Sequence, residues 1–210
     1  MVEIFTSHTF SSFYQVSRET ILGLKKYENI LINANKSMNL IGNSTIDNIW
    51  YRHILDSFQV IDYIDKNDKI LVDVGSGAGF PGVVIAFAAK ERKINLKVVL
   101  IEKSPKKAKF LEKTIDQLNL KIEVICKNIF HEKKTIGDVF VARAFKPLPI
   151  ILQLMHDKCI NFKKLIIFMG KSGNKELLQV SKSWDIEYKR RVSITSNESL
   201  ILEINNLKKK

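Results

Sequence analysis

The run Leu71-Val72-Asp73-Val74-Gly75-Ser76-Gly77-Ala78-Gly79-Phe80-Pro81-Gly82 decides how the rest of the chain is read. Its first four residues are apolar apart from Asp73 and rich in valine, as a strand buried on both faces of a sheet requires. Glycines follow where backbone must turn tightly and approach a ligand closely. Pro81 then opens an apolar stretch over residues 83–89, a proline at a typical first-turn position of a helix. Strand, glycine turn and helix in this order form the ligand-binding corner of an open α/β sheet.

Working outward, strands are expected at residues 70–74, 96–101, 122–126, 139–142 and 165–169, with helices at 81–90, 105–118 and 148–157. Such alternation specifies an α/β fold built on a mostly parallel, doubly wound sheet. Residues 187–194 and 200–204 read as an antiparallel hairpin at its C-terminal edge. Upstream, Val16, Leu22, Leu24, Tyr27, Ile30 and Leu31 recur at helical spacing, and residues 45–64 read as a second helix. Residues 1–69 are therefore expected to form an N-terminal helical extension packing on a core of residues 70–210.

Of the 210 residues, 45% are hydrophobic and 27% charged, which excludes a disordered or collagen-like chain. The apolar stretch at 83–89 is far short of the roughly 20 residues of a membrane helix, and the first ten residues lack the basic start of a secretory signal. Two cysteines, Cys126 and Cys159, provide neither a disulfide framework nor a zinc site of the usual spacing, so no metal is expected and a reducing cytoplasm fits best. The net charge is +12. Residues 1–69 hold 7 basic and 8 acidic side chains, which leaves an excess of +13 on the remainder. A polyanionic partner is the reading this asymmetry favours over uniform lysine-rich codon usage.

Gly77, Gly79 and Gly82 also satisfy the dinucleotide fingerprint, so two cofactor classes compete at the loop. An acid at the strand end, Asp73, suits the cationic aminopropyl group of S-adenosylmethionine better than a pyrophosphate. Glu102 closes the next strand, where a carboxylate can accept both ribose hydroxyls; either cofactor class would use it.

The chain also resembles the bacterial small-subunit (16S) ribosomal RNA guanine 7-methyltransferases, the glucose-inhibited division protein B family, over nearly its full length. The resemblance rests on Asn39-Leu40, on Arg52-His53-Ile54-Leu55-Asp56-Ser57, on the loop from Val74 to Gly82 with its Phe-Pro-Gly ending, and on Arg143-Ala144-Phe145. It implies a Rossmann-like class I methyltransferase that uses S-adenosylmethionine, acts on small-subunit ribosomal RNA or a ribonucleoprotein, and works as a cytoplasmic monomer. Cofactor contacts carry over to Gly75, Phe80, Arg143 and the pair Asn128-Ile129, beside Asp73, Gly77, Gly79 and Glu102 from the residues themselves. Ile129 stands where the family usually has Glu, Met169-Gly170 where it has Lys-Gly with Lys171 close by, and Ala34 where a Trp is common.

Arg143, His53 and Arg52 are the candidates for positioning the substrate. His53 and Asp56, three apart on a helix, could equally bond each other on one face. Lys103, Lys106, Lys107 and Lys109 would suit phosphate contacts as a group. The 7-nitrogen of guanine carries a lone pair and no proton, so no general base is expected, and no Asn/Asp-Pro-Pro-aromatic motif is present. Two other readings remain at this point: a methyltransferase of another substrate, and an RNA-binding assembly factor with a relict cofactor site.

Overall fold

The computed structural model describes residues 5–160 and 162–210; residues 1–4 of the expected extension and Asn161 of the expected core lie outside the described residues. A seven-stranded sheet forms the centre, in the order β3-β2-β1-β5-β7-β9-β8. Strands β1 (Ile70–Val74), β2 (Lys97–Glu102), β3 (Ile122–Cys126), β5 (Val139–Arg143) and β7 (Lys164–Met169) run parallel. The hairpin of β8 (Trp184–Ser193) and β9 (Ser196–Lys209) closes the edge antiparallel to β7. It is longer than the sequence suggests, because polar residues facing solvent along β8 hide its alternation. A separate parallel pair, β4 (Thr135–Ile136) and β6 (Cys159–Ile160), has no counterpart in the sequence reading.

The chain moves outward from β1 to β3, then returns to place β5 on the other side of β1. This reversal leaves a crevice beyond the carboxyl ends of β1 and β5, where open α/β sheets bind ligands. Register puts Asp73 opposite Leu100 and Val141, so Glu102 and Arg143 end the strands on either side of the glycine turn.

One face of the sheet is covered by α2 (Arg18–Met38), α4 (Gly82–Glu91) and α5 (Pro105–Leu118). Leu24, Tyr27 and Leu31 of α2 pack in one cluster with Val84, Leu100 and Leu111, so the N-terminal helices share the core of the sheet. The other face is covered by α6 (Leu148–Lys158) and α7 (Gly173–Val180), through Ile151, Leu152, Met155 and Leu177. A short first helix, α1 (Ser7–Phe13), and α7 escape the sequence reading: at 7 and 8 residues each spans about two turns, too little for a periodic signal. Among the described residues no helix is long and apolar enough to cross a membrane.

The expected single helix over 45–64 is a correction. It is a 3-10 turn (Asn43–Asn48), a π turn (Trp50–Leu55), one turn of α-helix, α3 (Asp56–Phe58), and a second 3-10 turn (Gln59–Tyr63). Residues 53–61 are buried without interruption, which an amphipathic α-helix cannot achieve. Only that stretch is enclosed on every side, and the wide turn that leads into it carries Arg52 and His53; such turns are frequent at functional sites.

Candidate functional site

A cavity of about 580 Å³ opens over the carboxyl ends of β1, β2 and β5. Its floor is the glycine loop. Gly77 has φ +58, and a Cβ there would meet nothing closer than 3.8 Å, so the missing side chain leaves backbone exposed to the cavity. Gly75, at φ +74, serves a different end: a Cβ would lie 2.3 Å from the Phe145 ring, which fills that space and forms part of the wall. The loop is pinned from the helical extension, where the buried Tyr27 hydroxyl donates to the Ala78 carbonyl at 2.8 Å.

Glu102 stands on the opposite wall with its carboxylate fixed by backbone. Gly77 N–H donates to Oε2 at 2.9 Å and Ser104 N–H to Oε1 at 2.8 Å. Each oxygen keeps a second lone pair for a ligand hydroxyl. Ile101, Ile129 and Phe130 add an apolar wall. Asn128 lines it too, and its Oδ1 accepts from Phe130 N–H at 3.2 Å, so the side chain caps the turn Ile129–His131.

Asp73 and Gly79 do not line the cavity, and direct ligand contact by them needs correcting. Asp73 is 1% exposed and reaches under the loop, where its Oδ2 accepts from Gly82 N–H at 2.8 Å and fixes the start of α4. Its Oδ1 is buried without a partner, and burial pushes the carboxyl up to about 7. Gly79 turns inward against Tyr27 and Val83. The Asp73 side chain points below the loop, a direction the spacing of the motif alone does not reveal.

His53 and Asp56 do not bond each other; Arg143 stands between them. Arg143 Nη2 donates to the Arg52 carbonyl at 2.8 Å and to His53 Nδ1 at 2.9 Å, and its Nε lies 3.4 Å from Asp56 Oδ2. A guanidinium has no acceptor, so His53 Nδ1 must accept and the imidazole proton sits on Nε2. That nitrogen lies 2.8 Å from Thr45 Oγ1, whose hydroxyl donates to the Gly42 carbonyl at 2.7 Å. Burial, then Arg143 and Arg52, push the imidazole down to about 3. His53 is thus neutral, with its free lone pair occupied. Its ring stacks on Phe80 at 5.0 Å, and Arg143 lies over the same Phe80 ring at 5.7 Å.

Asp56 is held in turn by groups that the sequence reading missed. Its Oδ1 accepts from Gln59 Nε2 at 3.0 Å, Ser193 Oγ at 2.9 Å and Thr195 Oγ1 at 2.8 Å. Ser193 and Thr195 belong to the tip of the edge hairpin, more than 130 positions away, and no local pattern connects them. The Arg52 side chain is exposed and outside the cavity; its carbonyl is what the site uses. Lys103 and Lys107 reach the mouth, joined by Lys127 and Lys146, while Lys106 bonds the Ser37 carbonyl. Lys171 turns away to pair with Glu198 at 2.8 Å and does not substitute for a lysine at Met169.

The donor set fits S-adenosylmethionine. A cradle without side chain at Gly77, a preset carboxylate for a vicinal diol at Glu102 and an apolar slot beside Ile129 share one cavity.

Comparison with known proteins agrees with this chemistry. The sequence model of the GidB family, described as rRNA small subunit methyltransferase G, matches residues 21–204. The chain is 41% identical, over all of both chains, to a protein named ribosomal RNA small subunit methyltransferase G from Pelagibacter ubique strain HTCC1062. It is 39% identical to one of the same name from Rickettsia akari strain Hartford, over 93% of this chain and 98% of that one. Among solved structures, MtNAS in complex with MTA and tNA superposes with a TM-score of 0.58 at 13% identity, covering 95% of this chain and 75% of the other. The 16S rRNA methylase RmtB gives 0.54 at 14% identity, covering 91% and 76%. At these identities the two structures show the fold, Rossmann-like, and nothing finer.

Proposed function

The chain belongs to the GidB family of small-subunit ribosomal RNA methyltransferases, and from that membership we propose that it methylates the 7-nitrogen of one guanine in 16S ribosomal RNA. It is an S-adenosylmethionine-dependent rRNA methyltransferase; the position methylated and the roles of individual residues are the proposal. The observation that carries it is the state of His53, whose one free lone pair is taken by Arg143.

Bound S-adenosylmethionine supplies an electrophilic methyl group on a cationic sulfur. Glu102 would hold the ribose hydroxyls, Gly75 and Gly77 would present backbone to the ligand, and the slot formed by Ile101, Ile129 and Phe130 would take the adenine. Arg143, fixed by Asp56, His53 and the Arg52 carbonyl, would orient the target at the switch point between β1 and β5. An acceptor without a proton asks only for alignment and a dry, preset environment. Amino methylation would need a group that takes up a proton, and His53 does not have that capacity.

Ribosomal RNA as substrate supports a cytoplasmic enzyme. Incubating labelled S-adenosylmethionine with naked 16S RNA, an assembly intermediate and the mature subunit, then mapping the label, tests the reading. Label on one guanine, released as 7-methylguanosine, is expected. A folded protein that binds the cofactor yet labels no RNA would overturn it.

A further inference from the structure

A second cavity, of about 310 Å³, lies beside the first, at the carboxyl ends of β5 and β7. The two share Ala144, Phe145 and Lys146, so one short stretch of backbone walls both. That stretch is strained at Ala144, which has φ +49, a region that a residue with a Cβ seldom adopts outside functional sites. The kink follows Arg143 directly and turns Phe145 back against Gly75 and Phe130, with the last ring stacked at 5.9 Å.

Away from the shared wall, the lining is apolar, from Leu148, Ile151 and Met169, with one carboxylate, Glu176. Glu176 is fixed in place: Leu148 N–H donates to Oε2 at 2.8 Å and Ser172 Oγ to Oε1 at 2.7 Å. Each oxygen retains a second acceptor site, side by side, on a group that costs little further order to use.

We propose that this cavity receives the target base itself and that Glu176 reads it as guanine. The inference rests on the proposed methylation at the 7-nitrogen. Enzymes that modify a base take it out of the stack into a pocket, grip its faces with apolar side chains and read its Watson–Crick edge. Guanine presents two parallel donors on that edge, N1–H and the 2-amino group, and a carboxylate accepts both. Adenine presents an acceptor at N1, and uracil one donor flanked by two carbonyls, so each meets the carboxylate less well. In a purine the 7-nitrogen lies on the edge opposite to N1 and the 2-amino group. A guanine held on Glu176 therefore turns its 7-nitrogen away from α7, the helix that carries Glu176. Lys146 stands exposed at the rim, where it can meet the phosphate of an extruded nucleotide.

The test uses 16S RNA carrying guanosine or inosine at the mapped target, with the wild-type chain and Glu176→Gln. Inosine lacks the 2-amino group and keeps N1–H and the 7-nitrogen. Wild type should lose roughly 10- to 100-fold in kcat/KM on inosine, the value of one hydrogen bond to a charged acceptor. Glu176→Gln should slow on guanosine and bring the ratio of the two substrates to within about threefold of one, since its amide nitrogen cannot accept. Its remaining oxygen still accepts from Leu148 N–H, so melting should change little and cofactor affinity by calorimetry not at all. Glu176→Gln with the wild-type ratio would overturn the proposal, as would loss of cofactor binding in that variant. Should the variant fail to fold, equal rates of the wild type on guanosine and inosine would overturn it alone. Methyl found off the 7-nitrogen in the wild type would instead overturn the reading on which it rests.

Discussion

Arg143 Nη2 meets His53 Nδ1 at 2.9 Å, and this one contact joins the π turn to the end of β5 and fixes which ring nitrogen carries the proton. It converts the most obvious candidate for a base into a neutral acceptor. His53→Gln preserves an acceptor for Arg143 and a donor for Thr45, whereas His53→Ala removes both. The rate should fall by less than about tenfold in the first and by roughly 10- to 100-fold in the second. In both, log kcat between pH 6 and 9 should stay as flat as in the wild type, because no general base is lost. A new ionisation in either profile would contradict the assignment.

Stability against pH should carry the same signature. The His53 imidazole is held down to about 3 in the fold and returns to its ordinary value of 6.5 in the unfolded chain. Between those values the unfolded chain binds a proton that the folded chain refuses, so this group's contribution is whole above pH 6.5 and is lost as pH falls. Denaturant titrations of His53→Gln should show a shallower acid loss than the wild type, by a few kcal/mol by pH 4. Parallel curves would contradict it.

Asp73 acts with the opposite sign. Its carboxyl is raised from 3.8 to about 7 by burial, so the folded chain keeps a proton that the unfolded chain releases, and stability falls as pH rises from about 4 to 7. Asp73→Asn keeps an acceptor for Gly82 N–H and removes the titration. It should gain on the wild type in denaturant titrations as pH rises through that window, and a constant difference would show that Asp73 is ionised throughout.

Much of this arrangement is legible in the sequence, and the reasons for the rest are physical. Strands 70–74 and 122–126 and helix 105–118 match the structure to the residue, because short runs rich in Val and Ile and a proline-opened helix leave strong local signals. Gly75, Gly77, Phe80, Glu102, Asn128, Ile129, Arg143 and His53 do come together around one cavity. The direction in which Asp73 points was not legible, since a strand residue next to a turn can face the ligand or the underside of the loop. Nor were Ser193 and Thr195, which reach Asp56 only through the folding of the edge hairpin. The π turn at Trp50–Leu55 reads as α-helix because its apolar spacing is satisfied by either form.

Gly77 offers a sharp test of the cofactor cavity. Gly77→Val places a branched side chain at φ +58, pointing into open space, so it should strain the loop by about 1–2 kcal/mol and reduce S-adenosylmethionine affinity at least ~100-fold while the chain stays folded. Near-normal affinity in calorimetry, with an unchanged circular dichroism spectrum, would remove the loop from the site.

The lysines at the mouth should set the salt dependence of RNA binding. With Lys103 and Lys107 both changed to Gln, the slope of log affinity against log salt should flatten by roughly 1.4, about 0.7 for each lost phosphate contact on single-stranded RNA. An unchanged slope would place the RNA elsewhere on the basic surface.

The central claim is that the methyl group goes to a ring nitrogen that needs no deprotonation, and one substitution in the RNA tests it most directly. Replacing the target guanosine by 7-deazaguanosine exchanges that nitrogen for carbon and leaves the pairing edge intact. Under conditions in which the guanosine RNA takes up one methyl group, recovered on digestion as 7-methylguanosine, the deaza RNA should bind with similar affinity and take up none. Methylation of the deaza RNA, or recovery of the methyl group on an exocyclic amine, would contradict the account.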